Sequence, residues 1–150
     1  MTDRDRAAVY AAEDQWSAAL DRGGPMDFFG SHLLLPVQRR FGDLTAMQTY
    51  IDARCAEHPT AGPVAVRTRQ GQTQAHYADG VIAIPVETTW ACRESVLLHE
   101  FAHHLNRDAD AHHGARYRAV MHALVESVLG VEAAFLLRTC YDANGVGLVA

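Results

Sequence analysis

The sequence predicts an α+β fold, and three observations carry that reading. Apolar residues recur at helical spacing at both ends of the chain. Between them lie short alternating runs rich in valine and isoleucine, punctuated by Gln70-Gly71 and Asp79-Gly80. The strands therefore gather ahead of a block of helices, which is an α+β order. At 150 residues the chain has enough length to bury a core without disulfides, and it reads as a single domain over 1–150.

A first helix is expected over about 3–21. Val9, Ala12 or Glu13, Trp16 and Leu20 share one stripe, and Gly23-Gly24-Pro25 stops it. His32-Leu33-Leu34-Leu35-Pro36-Val37 reads as a short strand, with Pro36 placing it at an edge or an end. Asp43 is an N-cap signal for a second helix, about 44–57, with Leu44, Met47, Ile51 and Cys55 on one side. Residues 64–69 alternate as a strand, Gln70-Gly71 turns the chain, and 74–77 can return. Asp79-Gly80 is a hairpin signal leading into 81–85. Together these runs predict a small mixed sheet of about four strands. The remainder is helical, over about 90–106, 113–129 and 131–142. Tyr117, Val120 or Met121, Leu124 and Val128 face inward on the second of these, and Gly130 separates it from the third.

Hydrophobic residues make up 49% of the chain and charged residues 21%, values that argue against disorder. No apolar run approaches the ~18–20 residues of a membrane span. The start, Met1-Thr2-Asp3-Arg4-Asp5-Arg6, carries charges of both signs with no apolar stretch behind it. It does not read as a signal peptide, so a cytoplasmic location is expected. A net charge of -5 argues against a nucleic-acid binder that relies on phosphate contacts. All 13 basic residues are Arg, a bias that G+C-rich codon usage explains. Cys55, Cys92 and Cys140 are far apart and form no CxxC pair. They predict neither a disulfide framework nor a zinc ribbon, and each reads as a small buried apolar residue.

Histidine is unevenly placed. Of nine, five fall between positions 99 and 113: His99, His103, His104, His112 and His113. The segment His99-Glu100-Phe101-Ala102-His103 is an HExxH motif inside an expected helix. Residues four apart lie on one face, one turn above the other, so both imidazoles can aim at one ion with Glu100 beside them. Leu97, Leu98, Phe101 and Leu105 fall on the other side and can anchor the helix.

A catalytic zinc site takes three protein ligands and leaves one position open. The third ligand is sought first among the downstream residues Asp108, Asp110, His112 and His113, with His76 and Cys92 as outsiders. His113 ranks first because it begins an amphipathic helix, where a ligand is held more firmly than in mid-loop. His112 ranks second and Asp110 third. His104 reads as a cationic residue near a helix C-terminus, or else as a donor or proton carrier beside the metal. Asp108 and Asp110 read as capping or solvating loop residues, or as carboxylates orienting a ligand imidazole. His32, His58 and His122 lie outside the cluster and read as structural or exposed.

The stretch HEFAHHL, followed by a short loop and HGARYRAVM, resembles the zincin-type metallopeptidase pattern HExxH…HG and the metal site of SprT-like proteases. More closely, it resembles a family of small metallohydrolases from G+C-rich bacteria. Val9–Glu13, Arg39–Asp43, His76-Tyr77, Gly80–Pro85 and Gly130–Arg138 extend the similarity over most of the chain. The resemblance implies a minimal zincin-like domain: a small mixed sheet, then an active-site helix and two C-terminal helices. It implies His99, His103 and His113 as zinc ligands and Glu100 as the catalytic acid/base. Members of that family often carry HGPxF, where this chain has Ala115 and Tyr117. Tyr117 then reads as a core residue in place of Phe, or else as a phenol assisting an oxyanion. In zincins a strand just before the active helix forms the sheet edge on which substrate pairs. Residues 81–85 are that edge here, or an inner strand.

The function expected from these readings is that of a zinc-dependent metallopeptidase or amide hydrolase acting on a peptide or protein. Glu100 assists attack of zinc-activated water on the scissile carbonyl. The competing readings are a non-catalytic module whose zinc site a fourth protein ligand closes, and a hydrolase of a non-peptide amide.

Overall fold

The computed structural model describes residues 3–28, 30–108 and 111–148. In chain order the elements are α1 (Arg6–Arg22), β1 (Gly24–Phe28), β2 (Ser31–Leu35), α2 (Leu44–Glu57), β3 (Ala65–Thr68), β4 (His76–Ala78), β5 (Val81–Ile84), α3 (Glu94–Leu105), α4 (Ala115–Leu129) and α5 (Val131–Ala143). The α+β class is as expected. Among the described residues no helix is long and apolar enough to cross a membrane. The chain folds as two compact units, one built from Met1–Gln38 with Asp108–Ala150 and the other from Arg39–Arg107.

In the discontinuous unit, α1, α4 and α5 enclose Val9, Trp16, Leu20, Tyr117, Met121, Leu137 and Tyr141, all fully buried. Trp16 Nε1–H donates to the Ala133 carbonyl at 3.0 Å, so the indole is buried without an unpaired donor. Glu13 is buried in this apolar setting, and its Oε2 accepts from the hydroxyls of Tyr117 (3.0 Å) and Tyr141 (2.8 Å). Burial, and then the Glu13 carboxylate, push the Tyr141 phenol well above its ordinary range, so it stays a donor. Gly23 ends α1 with φ +61, and a Cβ there would meet Val37 Cγ2 at 2.5 Å, so only glycine fits. The sequence predicts no strand over 24–28, yet β1 forms there. Gly24-Pro25 does stop the helix, but the chain then extends and pairs antiparallel with β2, from Gly24↔Leu35 to Phe28↔Ser31. Pro25 is tolerated because a two-stranded ribbon leaves each strand one edge that needs no N–H.

In the unit formed by Arg39–Arg107, three strands run in the order β3-β5-β4. β3 is parallel to β5 and β4 antiparallel to it. Asp79 (φ +48) and Gly80 (φ +78) supply the two left-handed residues of the β4–β5 hairpin, as the Asp-Gly signal predicts. The expected single sheet of about four strands is instead a two-stranded ribbon and a separate three-stranded sheet. Of the two readings for 81–85, the inner strand is the observed one. β5 has a partner on each side, and Ile82, Ala83 and Ile84 are buried. The third helix starts at Glu94 rather than near 90, because Thr89–Ala91 forms a short 3₁₀ turn before it.

Candidate metal centre

The local sequence gives α3 its position. Backbone bridging between Arg40 and Arg93, with Phe41 N–H on the Cys92 carbonyl (2.9 Å), fastens the segment that leads into the helix. Glu94, in the first turn, accepts from Arg39 N–H (2.9 Å) through one oxygen and from the Tyr50 hydroxyl (2.6 Å) through the other. Burial and this carboxylate push the Tyr50 phenol well above its usual range. Leu97, Leu98 and Phe101 are wholly buried and anchor the helix as expected, whereas Leu105 is half-buried. The other face departs from the sequence reading, which made it a ligand face distinct from the buried one. His99, Glu100 and His104 are also buried, and His103 half-buried. Polar groups buried on such a scale need partners.

His104 has them. Its Nδ1 lies 2.7 Å from the Tyr77 hydroxyl and its Nε2 3.1 Å from the Gly62 carbonyl. The carbonyl can only accept, so Nε2 carries the proton and Nδ1 accepts from Tyr77. The Tyr77 oxygen in turn accepts from Gly80 N–H at 3.0 Å. Burial is the main influence on the ring, and the pKa falls below the ordinary histidine value. His104 is therefore a neutral cross-link from α3 to the β4–β5 turn and the loop at Gly62. This corrects the reading of a cationic residue serving the helix dipole: His104 is buried, and burial disfavours the charge.

The HExxH pair behaves as its spacing predicts. The Nε2 atoms of His99 and His103 are 3.1 Å apart, with the rings tilted by 79°. Two nitrogens bound to one tetrahedral zinc at about 2.0–2.1 Å stand roughly 3.3 Å apart, close to this separation. Glu100, next to His99 on the same helix, is buried as well.

His113 sits just before α4, and a different set of contacts holds it. Its Nδ1 is 2.6 Å from Asp3 Oδ2. The ring lies between Tyr10 and Tyr117, with centroids 5.2 Å away on each side. Its carbonyl accepts from Arg118 Nη1 at 2.9 Å, and the same guanidinium binds Asp5 (2.7 Å) and the Gly147 carbonyl (2.8 Å). With Nδ1 engaged by Asp3, Nε2 is the ring nitrogen that can serve as a ligand.

His99, His103 and His113 each offer one ring nitrogen, and these atoms all lie within 4.8 Å of one another. The three are close enough to bind a metal ion. Three imidazoles form a donor set suited to zinc and its neighbours in the first transition row. Among the described residues no other His, Cys, Asp or Glu joins the group. His112, the second-ranked third ligand, is exposed, and so is Asp108. Asp110, the third-ranked, lies outside the described residues. His76 is exposed on β4, and the Cys92 thiol points to the carbonyls of Val86 and Thr88 at 3.7 and 3.8 Å. Tyr117 takes the core reading, with its hydroxyl given to Glu13. His32 is exposed beside Asp27, and His58 lies half-buried against Phe101. Cys140 is buried as expected, which raises its thiol to about 11, while Cys55 and Cys92 are half-buried.

Asp3, Asp5 and Arg118 were not singled out by the sequence reading. Asp3 and His113 are 110 positions apart, and no local pattern links them. Compared with known proteins, the chain matches no protein-family model, no curated protein and no solved structure.

Proposed function

We propose that the protein is a zinc-dependent hydrolase of peptide or other amide bonds, with His99, His103 and His113 as ligands and Glu100 as general base and acid. The observation that carries this reading is the convergence of three imidazole nitrogens within 4.8 Å, two of them from α3, where the buried Glu100 directly follows His99. A zinc ion held there supplies Lewis acidity, which polarises a carbonyl and makes water easier to deprotonate. The chain's own residues do the rest. His99 and His103 present Nε2 from successive turns of α3, and the buried Leu97, Leu98 and Phe101 keep that helix from shifting. Glu100 takes the proton from the attacking water and returns it to the leaving nitrogen.

A zincin-like architecture, a peptide or protein substrate and a cytoplasmic location belong to the same proposal. The three free cysteines suit a reducing compartment. Three donors rather than four among the described residues favour an enzyme over a closed zinc module.

Glu100→Gln tests the reading. The variant is expected to bind zinc with the parent's stoichiometry and to lose hydrolysis of a peptide library by several orders of magnitude. A variant as active as the parent overturns the role of Glu100. A parent that binds zinc through four protein ligands, measured by X-ray absorption, turns the reading to the module. Cleavage of small amides but not of peptides moves the substrate to the non-peptide class.

A further inference from the structure

We propose that Asp3 is the positioning residue of this centre: its carboxylate holds His113 by Nδ1 and so presents Nε2 as the third ligand. The inference deepens the reading above and rests on it. A histidine outside a helix has a free χ1 and χ2 and two chemically similar nitrogens. Something must choose the rotamer and the tautomer. On α3 the helix restricts χ1 for His99 and His103 and sets their spacing. At His113 no helical register does, since α4 begins only at Ala115.

The contacts at His113 provide the choice. Asp3 Oδ2 stands 2.6 Å from Nδ1, a charge-assisted distance, and a carboxylate there can only accept. The proton is therefore placed on Nδ1, and the Nε2 lone pair is left to face outward from Asp3. The dyad is removed from water: the side chain of His113 is 5% exposed and that of Asp3 22%. Asp3 Oδ1 is buried and has no hydrogen-bond partner among the described residues. The carboxylate's charge is thus not shared with another donor on that side. Tyr10 and Tyr117 flank the ring and restrict its rotation. One guanidinium then locks the two backbones together, since Arg118 binds both the His113 carbonyl and the Asp5 carboxylate. Asp3 and Asp5 act as a clip from the start of the chain onto the 111–114 loop. A carboxylate behind a ligand imidazole raises the ligand's basicity and fixes its orientation, and losing one typically weakens metal affinity about 10–100-fold.

The test is zinc affinity by competition with a chelating dye, on parent, Asp3→Ala and Asp3→Asn, with circular dichroism of each metal-free protein. Asp3→Ala is expected to bind one zinc about 10–100-fold more weakly. Asp3→Asn keeps an acceptor oxygen but no charge, so its loss is expected to be smaller, about threefold to tenfold. A spectroscopic readout separates positioning from a general structural role. With cobalt(II) in place of zinc, the parent is expected to show three shifted, exchangeable ring N–H protons in its proton NMR spectrum. In Asp3→Ala the His113 signal is expected to vanish into solvent exchange. Parent-like affinity in Asp3→Ala overturns the inference and leaves the hydrolase reading standing, as does weaker binding with all three signals intact. A parent that binds no zinc overturns both. If Asp3→Ala does not fold, Asp3→Asn decides, and parent-like affinity there overturns the inference.

Discussion

The residues of the candidate centre come from two kinds of structure, and the contrast explains both their geometry and their legibility. His99 and His103 stand on a helix whose own periodicity brings their nitrogens to 3.1 Å. Their placement is local, and a hydrophobic core underwrites it. His113 stands in a loop, and polar contacts with Asp3, 110 positions away, and with Arg118, itself bound to Asp5, set its position. The helix is held by burial, which is strong and non-directional. The loop is held by charge and hydrogen bonds, which are directional and individually weaker. Damage to the first region should therefore appear as lost stability. Damage to the second should appear as lost metal.

The largest expected effect lies in the helix. Phe101 is wholly buried on α3, and Phe101→Ala is expected to cost about 3–5 kcal/mol, because it removes apolar contact and leaves a cavity. Urea unfolding of the metal-free protein checks this, and a loss below about 1 kcal/mol would mean that the core does not anchor the helix. The loop comes next. A structural zinc site is worth about 10–16 kcal/mol over four ligands, so one ligand is worth roughly 3 kcal/mol, or about a hundredfold in affinity. His113→Ala is expected to show that loss with little change in metal-free stability, and His112→Ala to show neither. Dye-competition titration measures both, and the reverse pattern would exchange the two residues' roles.

The same contrast governs how much could be read from the chain. Periodicity exposed the helices, and two left-handed residues exposed the Asp79-Gly80 hairpin, because those signals are local. Ranking His113 above His112 needed only the start of an amphipathic helix, again a local pattern. The partition of the strands was hidden. Whether 81–85 forms an edge or an inner strand depends on β3 and β4 arriving from elsewhere in sequence. β1 was hidden because Gly24-Pro25 ends a helix equally well before a loop and before a strand. His104 was misread because its charge depends on burial, and burial depends on what packs against the helix end. Asp3 was invisible because a carboxylate 110 residues from its imidazole leaves no trace in spacing.

Two aspartates bring the comparison to its smallest scale. Asp43 accepts from Ala46 N–H at 2.8 Å and caps α2, an interaction across three residues. Its backbone is extended, as an N-cap requires, and the acceptor satisfies one of the helix's unpaired donors. Removing it with Asp43→Ala is expected to cost about 1 kcal/mol of stability, with Asp43→Asn recovering most of the loss. Zinc affinity should not change, since the effect is confined to the first turn of α2. The same substitution at Asp3 is expected to do the opposite, sparing stability and weakening the metal. Urea unfolding and zinc titration on both variants therefore give a crossed pattern. If Asp43→Ala also weakened zinc, α2 and the centre would share one cooperative fate, and the division between a burial-held helix and a charge-held loop would fail.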